Sequence, residues 1–211
     1  SFAVVHPSNF FSFEEQGWSS ADEFSPSYST YHMVTGCSDG TVKLWRSLPA
    51  NLSSLKSRWD LVGVIAAHQG PVLAISPSVR GRKIATVSHA GCLSSASTVH
   101  VWECVHFGTG GKFILEDTIC FEGEVVALNW LMLGNGHLLL GVCSQNELKI
   151  YAQRRCGGQD SLKSEEHVEG NIWVCIAVTS KYPLIQDFFW GPKATVGVLH
   201  HDYFSLFSPF S

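Results

Sequence analysis

The stretch GCSDGTVKLW, residues 36–45, decides the fold of this 211-residue chain. Residues 33–35 before it are apolar or β-branched, and the Asp-Gly pair at 39–40 is a frequent turn dipeptide between strands. After the turn, Val42 and Leu44 alternate with polar neighbours, as in a half-buried strand. The stretch therefore predicts a β-hairpin that closes on a large aromatic residue.

Three further copies of this pattern follow along the chain. They lie at 68–102, 126–151 and 185–207, and their closing aromatic residues are Trp102, Tyr151 and Phe207. Counted from Trp45, these aromatics are separated by 57, 49 and 56 residues. Short strands with turn signals at regular spacing are typical of an all-β repeat architecture. We therefore expect four β-sheet units and no long helix.

The composition argues against several classes of protein. Hydrophobic residues make up 45% of the chain and charged residues 15%, so we expect a globular rather than a disordered chain. The net charge is −4 and positive residues form no long run, which argues against a nucleic-acid partner. The seven cysteines are odd in number and widely spaced, which favours neither a disulfide framework nor a zinc site and suits the reducing cytosol.

One uncharged stretch, residues 125–144, is long enough to cross a bilayer. Its Gly134-Asn135-Gly136 segment lies between two apolar runs and is a turn signal. The stretch is therefore predicted to be a hairpin, and no integral membrane segment is expected. The first residues, SFAVVHPSNFF, have neither a basic region nor a small-residue cleavage site. We expect the chain to be a segment of a longer protein.

The hairpin signature resembles the WD-repeat family of β-propellers. SDGTVKLW at 38–45 is similar to that family's strand-turn-strand signature, and His68 stands where the family places the His of its Gly-His pair. The resemblance implies a β-propeller of WD-repeat type with about four blades in a partial ring, the remaining blades coming from the same parent chain.

Blade boundaries follow from the repeat pattern. We expect a lead-in with a possible first strand at 1–30, blade one at 31–65, blade two at 68–121, blade three at 124–178 and the start of blade four at 184–211. The repeats exceed the usual length of about 40–45 residues. We assign the excess to polar insertions at 46–58, 89–97, 104–112 and 153–170.

A finer resemblance is to the DmX-like or rabconnectin family, whose fungal member is the large subunit of the RAVE complex. It is carried by VWEC at 101–104, GGKFILEDT at 110–118, LNW at 128–130, LKIY at 148–151 and FFW at 188–190. The resemblance implies a non-enzymatic scaffold in the assembly of the vacuolar proton-translocating ATPase and in organelle acidification. The implied partners are peripheral-sector subunits of this pump and other RAVE-type subunits. The implied location is cytoplasmic, peripherally associated with endomembranes.

Two other functions are weighed against this one. The first is a WD-repeat interaction platform in another pathway, either vesicle traffic or substrate choice by a ubiquitin ligase. The second is a propeller hydrolase, which would need converging acids or a metal. His200-His201-Asp202 has metal-ligating residue types, but adjacent strand residues point to opposite faces, so a polar turn is favoured. No catalytic, cofactor-binding or metal-ligating residue is predicted.

The WD-repeat resemblance also implies a hydrogen-bonded structural set. The set consists of an Asp in a turn, a His before the first strand, a Ser or Thr on the second strand and a Trp on the third. Such a set satisfies polar groups that would otherwise be buried without partners. In this chain its predicted members are Asp39, Trp45, His68, Ser88 and Trp102, with Thr86 as the alternative to Ser88.

Four residues are predicted to contact a protein partner. Arg80, Arg82 and Lys83 form the densest positive cluster and lie in an expected turn. A rigidly held basic loop suits an acidic partner. Trp18 lies in a loop with acidic residues, and Trp is a frequent anchor of interfaces.

Overall fold

The computed structural model describes residues 3–4, 32–48, 58–78, 83–91, 96–105, 112–155, 171–179 and 184–209. Within these ranges the regular structure consists of fifteen strands and one short 3-10 turn, Pro192–Ala194. Every strand pair among them is antiparallel. The predicted all-β class is confirmed.

The strands form four sheets, which we call blades 1 to 4 in chain order. Blade 1 contains β1 (Ala3–Val4), β2 (His32–Gly36), β3 (Thr41–Leu48) and β4 (Arg58–Ala66). Blade 2 contains β5 (Ala74–Pro77), β6 (Lys83–His89), β7 (Ser97–Val105) and β8 (Lys112–Phe121). Blade 3 contains β9 (Val125–Met132), β10 (Leu138–Ser144), β11 (Leu148–Arg155) and β12 (Asn171–Thr179). Blade 4 contains β13 (Ile185–Trp190), β14 (Val196–His200) and β15 (Phe204–Phe207).

The expected insertions contain more strand than the sequence indicated. Residues 46–48, 89, 97, 104–105, 112 and 153–155 all lie in strands, which corrects the boundaries of all four insertions. The reason is visible in blade 1, where Arg46 pairs with Asp60 and Ser47 with Trp59. In these outer hairpins the backbone pairing continues into residues that no longer alternate between apolar and polar. Because these residues are polar like those of a loop, their sequence does not distinguish them from an insertion.

The hairpin predicted for residues 125–144 is confirmed. β9 pairs with β10 from Met132 opposite Leu138 down to Val125 opposite Ser144. The turn between them is closed by a hydrogen bond from Leu133 N to His137 O, 2.8 Å long. Among the described residues, no helix has the length and apolar character needed to cross a membrane.

The core lies between neighbouring blades. The cluster between blades 1 and 2 contains Val34, Val42, Leu44, Ala67, Val72, Ile84 and Trp102. A second cluster, which includes Val99, Phe121, Trp130, Leu140 and Trp173, joins blades 2 and 3. A third, which includes Leu139, Ile150, Phe188 and Val198, joins blades 3 and 4. In the described part of the chain, each of the three clusters therefore combines buried apolar residues of two neighbouring blades.

A tryptophan contact repeats from blade to blade. Trp130 on the first strand of blade 3 donates from Nε1 to the backbone oxygen of Ser76 in β5, at 2.8 Å. Trp190 on the first strand of blade 4 donates in the same way to the oxygen of Asn129 in β9, at 3.4 Å. Ser76 and Asn129 hold corresponding positions in their strands, opposite Ala85 and Gly141. The same type of hydrogen bond thus joins the first strands of blades 2 and 3 and those of blades 3 and 4.

Candidate functional site

A group of hydrogen-bonded side chains lies around His68, in the connection between β4 and β5 at the interface of blades 1 and 2. His68 Nε2 lies 2.8 Å from Thr86 Oγ1 on β6. Trp102 on β7 donates its indole N–H to the same oxygen, at 3.0 Å. The three side chains join a loop and two strands through a single hydroxyl group, which itself is fully buried.

The hydroxyl group of Thr86 serves both neighbours. Its oxygen accepts the indole proton of Trp102 and lies 2.8 Å from His68 Nε2. Such partners satisfy a buried hydroxyl group, which would cost about 1–3 kcal/mol if it were left unpaired.

A second histidine, His100 on β7, stacks on His68. Their ring centroids are 4.3 Å apart and the rings are 13° from parallel. His100 Nδ1 lies 2.8 Å from the backbone oxygen of Ala67. A carbonyl oxygen can only accept, so Nδ1 of His100 is the donor and its Nε2 is unprotonated.

Both imidazoles are held in the uncharged form. Burial, together with the repulsion that a second imidazolium would meet beside His100, lowers the pKa of His68 from 6.5 to about 4, against the raising effect of a hydrogen bond to the Thr86 backbone. Burial also lowers the pKa of His100. The pair is therefore neutral at neutral pH. His68 is not poised as a base near pH 7, where a general base would have its pKa.

The prediction of Ser88 as the hydroxyl partner of the set is wrong, and Thr86 has that place. Ser88 is 1% exposed, and its Oγ has no hydrogen-bond partner among the described residues. Thr86 and Ser88 lie on the same face of β6, so alternation alone does not separate them. Trp102 lies opposite Ile84. Its side chain reaches Thr86 two residues on, whereas Ser88 is four residues away, or roughly 13 Å along the strand.

In blade 1 the predicted residues form two separate contacts. Asp39 is exposed, and its Oδ1 accepts from Thr41 Oγ1 at 2.6 Å and from Thr41 N at 2.9 Å. These hydrogen bonds lower the pKa of the Asp39 carboxyl. Trp45 Nε1 donates to Thr35 Oγ1 at 2.9 Å. The side chain of Asp39 therefore closes its own turn, and in the described structure it is not hydrogen-bonded to His68.

The turn of blade 1 nevertheless meets the His68 segment through the backbone. The oxygen of Gly40 accepts from Ala67 N at 3.1 Å and from His68 N at 3.0 Å. Gly40 has a φ of +83°, and an added Cβ would collide with the oxygen of His68. Glycine is required here both by the backbone conformation and by this close approach.

The prediction of Lys83 as a partner contact is wrong, because Lys83 is buried. It begins β6, is 6% exposed, and places Nζ 2.7 Å from both carboxylate oxygens of Glu116 on β8. A side chain held in this way is not available to an external acidic partner. The other predicted contacts, Trp18, Arg80 and Arg82, lie outside the described residues.

Glu116 is the centre of a network that the sequence did not reveal. Besides Lys83, it accepts hydrogen bonds from Gln153 Nε2 at 2.6 Å and from Trp173 Nε1 at 3.1 Å. The neighbouring Asp117 accepts from Trp173 N at 2.6 Å. The network joins the outer strands of blades 2 and 3. Lys83 and Glu116 are 33 residues apart, so no short-range pattern indicates their pairing.

The histidines of blade 4 were predicted to form a polar turn. His200 is buried, with Nε2 2.9 Å from Ser205 Oγ and its ring stacked on Tyr203. His201 is exposed and pairs with Asp202 at 2.6 Å. Within the described part of the chain, no three His, Cys, Asp or Glu side chains are grouped as metal ligands would be.

Comparison with known proteins gives a repeat and a fold. Residues 13–46 match the family described as WD domain, G-beta repeat. No curated protein matches the chain. The β-propeller domain of Cps50 (Swd1) from Myceliophteria thermophila is similar, with a TM-score of 0.52 at 9% identity over 84% of this chain and 49% of that one. Chaetomium thermophilum Sqt1, bound to the N-terminus of ribosomal protein L10, has a TM-score of 0.49 at 17% identity, over 84% of this chain and 42% of that one.

The chain spans about half the length of these two solved proteins. The likeness to Cps50 agrees with the sheet order and with the blade-to-blade packing described above. At this level of identity the likeness concerns the fold alone. The chain is therefore an all-β protein whose described sheets form part of a β-propeller, and its residues 13–46 match one WD repeat.

Proposed function

We propose that the chain is a segment of a non-enzymatic WD-repeat scaffold on which protein partners assemble. The observation that carries this proposal is that polar side chains at the interface of blades 1 and 2 bond within the fold. His68, Thr86 and Trp102 bond to one another, and burial keeps His68 uncharged. Rigid loops between packed blades are suited to presenting a fixed surface to other proteins.

We further propose that the parent protein acts in the assembly of the vacuolar proton-translocating ATPase. This proposal is supported by the resemblance of residues 101–104, 110–118 and 128–130 to the DmX-like family. It names peripheral-sector subunits of the pump and RAVE-type subunits as partners, on the cytoplasmic side of endomembranes. A WD-repeat platform in vesicle traffic or in a ubiquitin ligase is the alternative.

Affinity capture of the parent protein from cells that express it tests this proposal. We expect peripheral-sector pump subunits to be recovered with the wild-type protein. Capture of coat or ligase subunits in their place would favour the alternative. The matched pair of variants is Gly40→Ala, which should disturb the meeting of blades 1 and 2, and Gly134→Ala in an open turn, which should behave as wild type. Catalytic turnover that disappears in Asp39→Asn would contradict a non-enzymatic role.

A further inference from the structure

The turn between β9 and β10 in blade 3 contains an asparagine followed by a glycine, Asn135-Gly136. Gly134, Asn135 and Gly136 are all exposed. A Cβ added at either glycine would meet nothing within 4 Å. Gly136 has a φ of +83°, a backbone conformation that suits glycine. Water therefore reaches the peptide bond that joins Asn135 to Gly136.

The hydrogen bonds of the turn bring the side chain of Asn135 back toward the peptide that follows it. Asn135 Oδ1 accepts from His137 N at 3.1 Å. This N–H group draws electrons from the side-chain amide, which makes its carbon Cγ a better target for a nucleophile. Gly136 N donates to Leu133 O at 2.8 Å. That bond lies in an exposed turn where water can replace it, so a brief opening frees the nitrogen of Gly136.

We propose that Asn135 is a site of spontaneous deamidation in which Gly136 supplies the attacking nitrogen. The nitrogen of Gly136 gives up its proton and bonds to Cγ of Asn135. The bond from Cγ to Nδ2 then breaks, and ammonia leaves with that proton. Water opens the resulting five-membered imide at either of its two carbonyl groups. The products are Asp and iso-Asp, and the reaction needs no oxidant or reductant.

Two other asparagines of the described structure, Asn129 and Asn146, lack this combination. Asn129 lies within β9 and is followed by Trp130, which is 5% exposed. Asn146 is followed by Glu147. A side chain on the following residue hinders the approach of its nitrogen to Cγ, and glycine has none. We therefore expect the reaction at Asn135 and not at the other two positions.

Deamidation would change the charge beside a cavity. Asn135 lines a cavity of about 320 Å³ together with His137 and Ile176. Among its described lining residues, none is Asp, Glu, Lys or Arg. The reaction adds one negative charge there, and iso-Asp also adds a methylene group to the backbone of the turn. This surface of blade 3 therefore changes irreversibly as the protein ages, whatever the function of the parent protein.

The test follows Asn135 by peptide mapping and mass spectrometry while the 211-residue chain is kept at neutral pH and body temperature. The reference is the capped peptide acetyl-Leu-Gly-Asn-Gly-His-amide in the same buffer. We expect a mixture of Asp and iso-Asp, formed within about tenfold of the peptide's rate, because only one exposed hydrogen bond must open. Asn129 and Asn146 are internal controls and should remain unchanged. An intact Asn135 after the peptide has converted, or Asp without iso-Asp, would overturn the proposal.

Gly136→Ala and Gly134→Ala are the matched variants. A methyl group at position 136 hinders the attacking nitrogen, so we expect the rate at Asn135 to fall about tenfold. The same methyl group at position 134 precedes the asparagine and should leave the rate unchanged. Equal rates in the two variants would refute the role of the Gly136 nitrogen. The comparison of the wild-type chain with the free peptide decides the proposal even where Gly136→Ala does not fold.

Discussion

The indole nitrogen of Trp102 lies 3.0 Å from Thr86 Oγ1. Blade 1 repeats this relationship between Trp45 and Thr35 at 2.9 Å. In both blades the Trp lies opposite the residue two positions before the Thr, so the contact is diagonal across two paired strands. A cross-strand neighbour at this distance is within reach of a large aromatic side chain.

In blades 3 and 4 both members of the Trp–Thr pair are replaced by other residues. Tyr151 lies opposite Leu140 and Phe207 opposite Val196, as Trp102 lies opposite Ile84. Two positions on, Val142 and Val198 stand where blade 2 has its Thr. Neither Tyr nor Phe carries an indole N–H, so an acceptor on the facing strand is not needed there.

The first prediction compares Thr86→Val with Ser88→Ala. Thr86→Val leaves the N–H of Trp102 without its acceptor and removes the partner of His68, which should cost about 1–3 kcal/mol of unfolding free energy. Ser88→Ala removes a buried, unpaired hydroxyl and no internal hydrogen bond, so it should leave stability unchanged or raise it. Urea denaturation measures both values. A larger loss in the Ser88 variant would contradict the assignment of Thr86 to the set.

The second prediction concerns Gly40. An alanine there must adopt a φ of +83° and place its Cβ against the oxygen of His68, so Gly40→Ala should lower stability by about 2 kcal/mol or more. Gly134→Ala is the control, because an added Cβ there meets nothing within 4 Å. Thermal unfolding followed by circular dichroism should give a lower Tm for the first variant alone. Equal Tm values in the two variants would show that this turn does not meet the His68 segment.

The third prediction concerns the buried ion pair. Lys83→Met leaves the Glu116 carboxylate buried without its cation and should cost about 3–5 kcal/mol. Glu103→Gln is the control: its carboxylate lies 4.0 Å from the same amine and is 42% exposed, so the change should be small. Chemical denaturation distinguishes the two variants. If Lys83→Met left the free energy of unfolding unchanged and weakened partner capture, Lys83 would be an exposed partner contact and not a buried one.

The fourth prediction is a dependence of stability on pH. The pKa of His68 is about 4 in the folded chain and 6.5 when unperturbed, so between these values the unfolded state binds the extra proton. Its contribution to stability is therefore complete above pH 6.5 and is lost as the pH falls toward 4. The urea midpoint of His68→Gln should change less over this interval than that of the wild type. Identical pH profiles would contradict a buried, neutral His68.

The elements that the sequence predicted are those fixed by neighbouring residues. The hairpin at 36–45 follows from an Asp-Gly turn and alternation, and both signals lie within ten residues. The choice between Thr86 and Ser88 depends on which residue of β6 faces Trp102. Such strand register is a property of two paired strands.

The missed features are contacts over long sequence distances. The bond from Trp130 to Ser76 joins residues 54 apart, and that from Trp190 to Asn129 joins residues 61 apart. Burial of Lys83 likewise follows from Glu116 on another strand. The charges of residues 80–83 predicted an exposed cluster, whereas the burial of Lys83 depends on the tertiary contact with Glu116.

The most direct test of the proposed function is the distribution of the proton pump in cells that lack the parent protein. Immunoblots should compare peripheral-sector and membrane-sector subunits in isolated membranes. We predict normal total amounts, a loss of the peripheral sector from membranes, and recovery on re-expression of the wild type or Gly134→Ala but not Gly40→Ala. An unchanged ratio of the two sectors on membranes of the deletion strain would contradict a role in pump assembly.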